Sequence, residues 1–291
     1  MARAKALSRT FLIAAIAILS ACSRPEKIVV GSKNFTEQLV LGEIMAQQIE
    51  RTVGVRVDRR LNLGGTMLAQ QALISGAIDL YPEYTGTALT AILKQPLQSD
   101  PGKVLDLVRR TYADRFQLTW LEPFGFNNTF AMVIRRSDAG TVRTITEAAS
   151  ARSWKLGVGY EFLQRPDGFP GLARTYGLRT DGGPVTMDLG LLFTALRNGQ
   201  VNMVAANSTD GVLAVIDAVV LRDDRAYFPP YECAPVVRKE TLERYPKLQP
   251  ALQKLSGSLT DETMRRLNYA VDGEHKPIRE VAAQFLATLK D

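Results

Sequence analysis

The chain has 291 residues, 46% hydrophobic and 23% charged, with a formal net charge of +6, enough material for one large domain or two lobes. A single histidine and two cysteines exclude a histidine-rich metal site and argue against a Cys/His catalytic pair. The basic residues are scattered, with no run interleaved with aromatics, which argues against nucleic-acid binding and for a solvated surface.

At the N-terminus, Arg3, Lys5 and Arg9 precede an apolar run from Phe11 to Leu19 that is too short to span a bilayer, so residues 1–21 read as a signal peptide. Its end, Leu19-Ser20-Ala21-Cys22, resembles the bacterial lipobox. Cys22 is therefore the expected lipid anchor, residues 22–27 a tether, and the mature protein is expected on the periplasmic or extracellular face, anchored to a membrane. Cys233 is then left without a disulfide partner and reads as a small packed residue rather than a nucleophile. No cofactor is implied.

The first strand is expected at Ile28–Gly31, followed by a helix with Leu41, Ile44, Met45 and Ile49 on one face. Asn34 and Glu37 have capping-box spacing, and Lys33 sits where a helix N-terminus suits a carboxylate. Val55, Val57 and Leu61 suggest a second strand, Gly64-Gly65 a turn, and Thr66 the cap of a helix that Gly76 ends. The stretch Gly76–Thr87 then gives a short apolar strand and a turn presenting Tyr84 and Thr87, with a helix continuing through Ala88 to Leu93. An aromatic ring and a hydroxyl at a strand's carboxyl end are a candidate ligand site, because open α/β sheets bind ligands there. Asp100-Pro101 starts the next helix. The alternation predicts an α/β fold with a largely parallel sheet.

Thr119–Thr129 reads as a hinge crossing, followed by strands at Phe130–Ile134 and Trp154–Gly159 and a helix at Asp188–Asn198 that Gly199 ends. The segments 72–80 and 195–203 share alanine, leucine and glycine at a spacing of 123 residues, which carries Tyr84 onto Asn207 and predicts two similar lobes facing one cleft. Tyr227–Pro235, rich in proline and aromatics, reads as a second crossing rather than a core strand. Thr260 and Pro277 open two closing helices. The expected architecture is a hinged, bilobed monomer, with residues 28–125 and 232–291 in lobe 1 and 126–231 in lobe 2.

Six motifs, in order, resemble those of the substrate-binding proteins of ABC importers for osmoprotectants such as glycine betaine, choline and carnitine. They are Gly31-Ser32-Lys33-Asn34-Phe35-Thr36-Glu37, Asp79-Leu80-Tyr81-Pro82-Glu83-Tyr84-Thr85-Gly86-Thr87, Gly125-Phe126-Asn127-Asn128-Thr129, Glu161-Phe162-Leu163-Gln164-Arg165, Ser208-Thr209-Asp210-Gly211 and Phe228-Pro229-Pro230-Tyr231. The resemblance implies a type II periplasmic-binding fold, an aromatic cage for a quaternary ammonium, delivery to an ABC permease and no catalysis. It implies that Tyr84 and Tyr231 are cage tyrosines, and that Phe130 stands where the family commonly has tyrosine. Lys33, Thr87 and Arg165 match positions for the ligand's anionic end. Asn207 departs from the pattern, standing where many relatives have a cage tyrosine. Either Glu232 adds charge to a three-ring cage, or Asn207 binds a polar group of a larger betaine such as carnitine or ergothioneine. Asn128 reads as structural and Asp210 as a turn or cap residue. A binding protein for a different small polar solute, a sensor acting through a membrane partner and a hydrolase using Cys233 or Asp210 are the rival readings.

Overall fold

The computed structural model describes residues 27–289; the signal peptide, the lipobox and Cys22 lie outside the described residues. Five short strands form a first sheet in the order β2-β1-β3-β10-β4. They are β1 (Lys27–Gly31), β2 (Arg56–Arg60), β3 (Leu80–Tyr84), β4 (Leu118–Trp120) and β10 (Cys233–Arg238). The second sheet has the order β7-β6-β8-β5-β9, from β5 (Phe130–Arg135), β6 (Leu156–Val158), β7 (Val185–Thr186), β8 (Met203–Asn207) and β9 (Ala218–Leu221).

Each sheet is mixed rather than largely parallel. β1 runs parallel to β2 and β3, and β6 to β7 and β8, but β10 is antiparallel to β3 and β4, and β5 to β8 and β9. The strands that arrive through a crossing enter each sheet reversed.

Cys233, Ala234 and Pro235 therefore belong to a central strand, not to the crossing that the prolines suggested. The register explains the tolerance, because Pro235 lies opposite Pro82. The Pro235 carbonyl turns away from β3 to accept from the Leu121 amide, and the Pro82 carbonyl accepts from Gln38 Nε2. Neither missing N–H falls where the β3–β10 ladder needs a donor.

Helix α1 (Thr36–Thr52) lays Val40, Leu41, Ile44, Met45 and Ile49 on one face of the first sheet, against Ile28, Val30 and Val57. Such side chains contribute about 1.5–3 kcal/mol each on burial. α2 (Thr66–Ile74) and α3 (Pro101–Phe116) cover the other face, with Leu73, Val104, Val108 and Tyr112 packed on Tyr81 and Trp120. Asp100 caps α3 by accepting from the Lys103 amide at 3.0 Å. Capping fails for α1: its N-cap is Phe35, with no side-chain bond, and Glu37 turns inward instead. Residues 85–92 form one α turn and a π-helical turn rather than a regular helix.

In the second sheet, α4 (Tyr160–Gln164) follows β6, and α5 (Leu192–Arg197) precedes β8 after a 3-10 turn at Leu189–Leu191. The two crossings run side by side, joined by a bridge between Asn127 and Glu232 and by the Asn128 amide donating to the Tyr231 carbonyl. The closing helices α6 (Asp261–Asp272), capped by Thr260, and α7 (Ile278–Thr288) pack back on α1. α6 also abuts the turn after β8, where a Cβ on Gly211 would lie 2.3 Å from the Tyr269 nitrogen.

Candidate functional site

The carboxyl ends of β3 and β8 come together between the two sheets, where Tyr84 and Thr209 both donate to Glu37, and two groups of side chains flank that gap. The first is aromatic. The ring of Phe130, at the start of β5, lies 4.7 Å from Phe162, 5.6 Å from Tyr231 and 5.7 Å from Phe228, centroid to centroid. Arg165, just past α4, holds its guanidinium 5.2 Å from the Phe130 ring and 5.9 Å from the Tyr231 ring. That cation is fixed by three bonds to two partners: Nε and Nη2 donate to Asp167 at 2.9 and 2.5 Å, and Nη1 donates to Thr87 Oγ1 at 3.1 Å. Tyr231 donates its hydroxyl to the same Asp167 at 2.6 Å. Burial disfavours both charges, yet the pairing outweighs it, holding Asp167 below its ordinary range and Arg165 above its own.

The second group surrounds Tyr84. Its ring stacks on Phe35 at 6.2 Å, Lys33 Nζ lies 5.2 Å from its centroid, and its hydroxyl donates to Glu37 at 2.7 Å. Lys33 pairs with buried Glu83 at 2.5 Å and donates to Thr66 Oγ1 at 3.1 Å. Glu83 in turn accepts from the Tyr81 hydroxyl and the Tyr84 amide.

Glu37 is the node beneath this group. Besides Tyr84 it accepts from Asn128 at 2.7 Å, Thr209 at 2.5 Å and Asn268 at 3.1 Å. One carboxylate thus ties α1, the first crossing, the β8 turn and α6 together. Burial raises its pKa against the pull of those four bonds, and burial followed by the Glu37 charge raises the Tyr84 phenol.

Phe130, Tyr231, Arg165 and Thr87 are brought into one cluster, and Lys33 and Tyr84 into another. Asn207 lies directly opposite Phe130 in the β8–β5 register, and its backbone N–H donates to Asp210 Oδ2 at 2.9 Å, closing its own turn. Asp210 is accordingly a turn residue. Its pKa is pushed up to about 7, first by burial and then by the neighbouring Glu37 and Asp272 charges. Glu232 enters through its backbone, exchanging bonds with Thr85. Cys233 is buried and its thiol is pushed up by burial, which removes the thiolate a nucleophile needs. Among the described residues no cluster could hold a metal, and no helix is long and apolar enough to cross a membrane.

Sequence reasoning missed Glu37, Glu83, Asp167 and Glu161. The last sits one helical turn before Arg165 and reaches across the gap, where the Thr66 amide donates to its Oε1 at 2.6 Å and the Thr66 hydroxyl to its Oε2 at 2.9 Å. The i, i+4 spacing of Glu161 and Arg165 and the nearby Asp167 were the available signals.

Residues 26–288 match the family described as the substrate binding domain of ABC-type glycine betaine transport systems. The chain is similar to the carnitine transport binding protein of Listeria monocytogenes, at 31% identity over 97% of this chain and 95% of that protein. It is also similar to the ergothioneine transport permease/ergothioneine binding protein of Helicobacter pylori, at 34% identity over 90% of this chain and 47% of that longer protein. A solved structure of a glycine betaine/carnitine/choline ABC transporter matches with a TM-score of 0.75 at 29% identity, over 89% of this chain and 97% of that one.

Proposed function

We propose that this chain, which belongs to the family of substrate-binding domains of ABC-type glycine betaine transport systems, captures a quaternary-ammonium solute between its two lobes and hands it to an ABC permease. The solute is glycine betaine, choline, carnitine or a related betaine. The lobes are residues 28–125 with 232–291, and 126–231. Cys22 carries the lipid that holds the protein to a membrane on its extracytoplasmic face, and the protein works as a monomer. It is a binding protein and not an enzyme.

The observation that carries this reading is the seat of Arg165, a cation lying against the rings of Phe130 and Tyr231. A trimethylammonium group has no hydrogen-bond donor, so ring faces are its natural partners, at roughly 0.5–2 kcal/mol each. In the loaded site Phe130, Tyr231 and Tyr84 supply those faces. Lys33, Thr87 and Arg165 receive the carboxylate or hydroxyl of the ligand. Micromolar binding requires about 8 kcal/mol in all, so rings and polar contacts must act together.

Asn207 opposite Phe130 favours a second version of the same reading, a betaine with an additional polar group, such as carnitine or ergothioneine. A thermal-shift screen of the purified protein against glycine betaine, choline, carnitine, ergothioneine and a panel of amino acids tests both. A ligand at 100 times its Kd stabilises the fold by about 2.7 kcal/mol. The expected result is a rise in Tm with at least one quaternary amine; a shift with amino acids alone would refute it.

A further inference from the structure

We propose that Glu161 and the Gly65-Thr66 pair form a clasp that holds the lobes closed, with Glu161 as the bolt and Gly65 as the opening that admits it. Glu161 lies on α4 beside the second sheet, and Thr66 is the first residue of α2 beside the first. Both carboxylate oxygens are used, Oε1 by the Thr66 amide at 2.6 Å and Oε2 by the Thr66 hydroxyl at 2.9 Å. Lys33 donates to Thr66 Oγ1 at 3.1 Å, so the hydroxyl's own proton is directed at Glu161.

Gly65 supplies the independent observation. Its φ of −78° and ψ of −174° are open to any residue, so the backbone does not call for glycine here. A Cβ at that position would lie 2.2 Å from Glu161 Oε1. The missing side chain makes room for a carboxylate that arrives from the other lobe. Arg165, on the same face of the chain one turn later, makes a second cross-lobe contact through Thr87, and its Nη1 lies 3.9 Å from Glu161 Oε2. The Glu161 side chain keeps 44% of its exposure while Asp167 keeps none. The bolt can therefore swing into water without unpacking a core, and the Arg165–Asp167 pair stays assembled when it does. Glu161 is thus a positioning residue, acting on a ligand through the closed arrangement of the two lobes.

The test uses the full mature chain. Hydrogen exchange followed by NMR reads the Thr66 amide directly and needs no ligand. Glu161→Ala and Gly65→Ala are each expected to speed its exchange at least about tenfold, while amides of β3 exchange as in the wild type, which separates an opened clasp from a weakened fold. Gly65→Ala removes no charge and keeps Glu161, so a matching effect assigns the loss to the seating of the carboxylate. Glu161→Gln keeps one oxygen for the Thr66 amide and is expected to lie between. The second arm rests on the proposed function and uses glycine betaine as probe: koff rises about tenfold in both alanine variants with kon within about twofold. Unchanged Thr66 exchange in both variants, or a loss of kon with koff unaltered, overturns the clasp. Failure of glycine betaine to bind the wild type, with Thr66 exchange accelerated, would instead count against the ligand reading and leave the clasp standing.

Discussion

The two sheets are built alike, yet the strand ends they present to the gap between them are not. β3 and β8 hold the same place in their sheets and lie 123 residues apart. The glycines that end the preceding helices, Gly76 and Gly199, take left-handed φ values of 75° and 72°. Asp79 accepts from the Val29 amide in one unit, and Asn202 accepts from the Lys155 amide in the other. Arg238 and Arg135 end the reversed strands and bring their guanidinium groups within 3.1 and 2.8 Å of where a Cβ on those two glycines would stand. These correspondences all lie on the far side of each sheet, where backbone geometry decides the residue.

At the strand ends the correspondence breaks. The Tyr84 hydroxyl is braced on buried Glu37, whereas at Asn207 the backbone N–H donates to Asp210 and closes a turn. The scaffold repeats because both lobes solve the same packing problem. Under the proposed function, the gap-facing ends differ because they meet opposite sides of one asymmetric ligand.

The largest expected effect of breaking this contrast is at Glu37. Glu37→Leu leaves the donors of Tyr84, Asn128 and Thr209 without their acceptor, while Asn268 keeps its bond to the Thr209 carbonyl, and is expected to cost about 3–5 kcal/mol of stability. Urea unfolding of the ligand-free protein measures it, and a loss under about 1 kcal/mol would mean that the node does not brace the first lobe.

Asn207→Tyr gives the second lobe the ring that the first already has. One added ring face is expected to tighten glycine betaine binding roughly tenfold, about 1.4 kcal/mol at the upper part of the cation–π range. No gain in a folded variant would show that the strand end of β8 does not face the ammonium group.

The smallest effect is a pH dependence at Asp210. Its folded pKa of about 7 lies above the ordinary carboxylate value, so the folded protein holds the proton more tightly. That contribution to stability is complete below about pH 4 and is lost as pH rises through 7. Glu37 shifts in the same direction. Asp210→Asn keeps an oxygen for the Asn207 amide and removes the titration. It is expected to be more stable than the wild type by roughly 1 kcal/mol at pH 8, with the advantage shrinking toward pH 5. Paired melting curves across that range check the sign.

Much of the scaffold is legible in the sequence because it rests on local rules. The caps at Asp100 and Thr260, the glycines at 76 and 199, and the echo that equates Tyr84 with Asn207 need only neighbouring residues. The strand at Cys233–Arg238 is hidden because Pro235 reads as a breaker until Pro82 is known to face it. The site is half legible. Phe130, Tyr231, Arg165 and Thr87 do meet, but Glu37 looks like a capping residue because its four donors lie at positions 84, 128, 209 and 268 and meet only in the fold. Asp167 and Glu161 do not stand out, because a carboxylate beside an arginine suggests a simple pair, not a brace or a bolt.

The claim that the ring cluster is a seat for a quaternary ammonium is tested most directly by isothermal titration of the wild type and Phe130→Ala with glycine betaine, choline, carnitine and ergothioneine. The account predicts at least one Kd in the micromolar range or below for the wild type, weakened roughly tenfold by the loss of the ring. Binding of none of the four below millimolar, or equal affinity in both proteins, would contradict it.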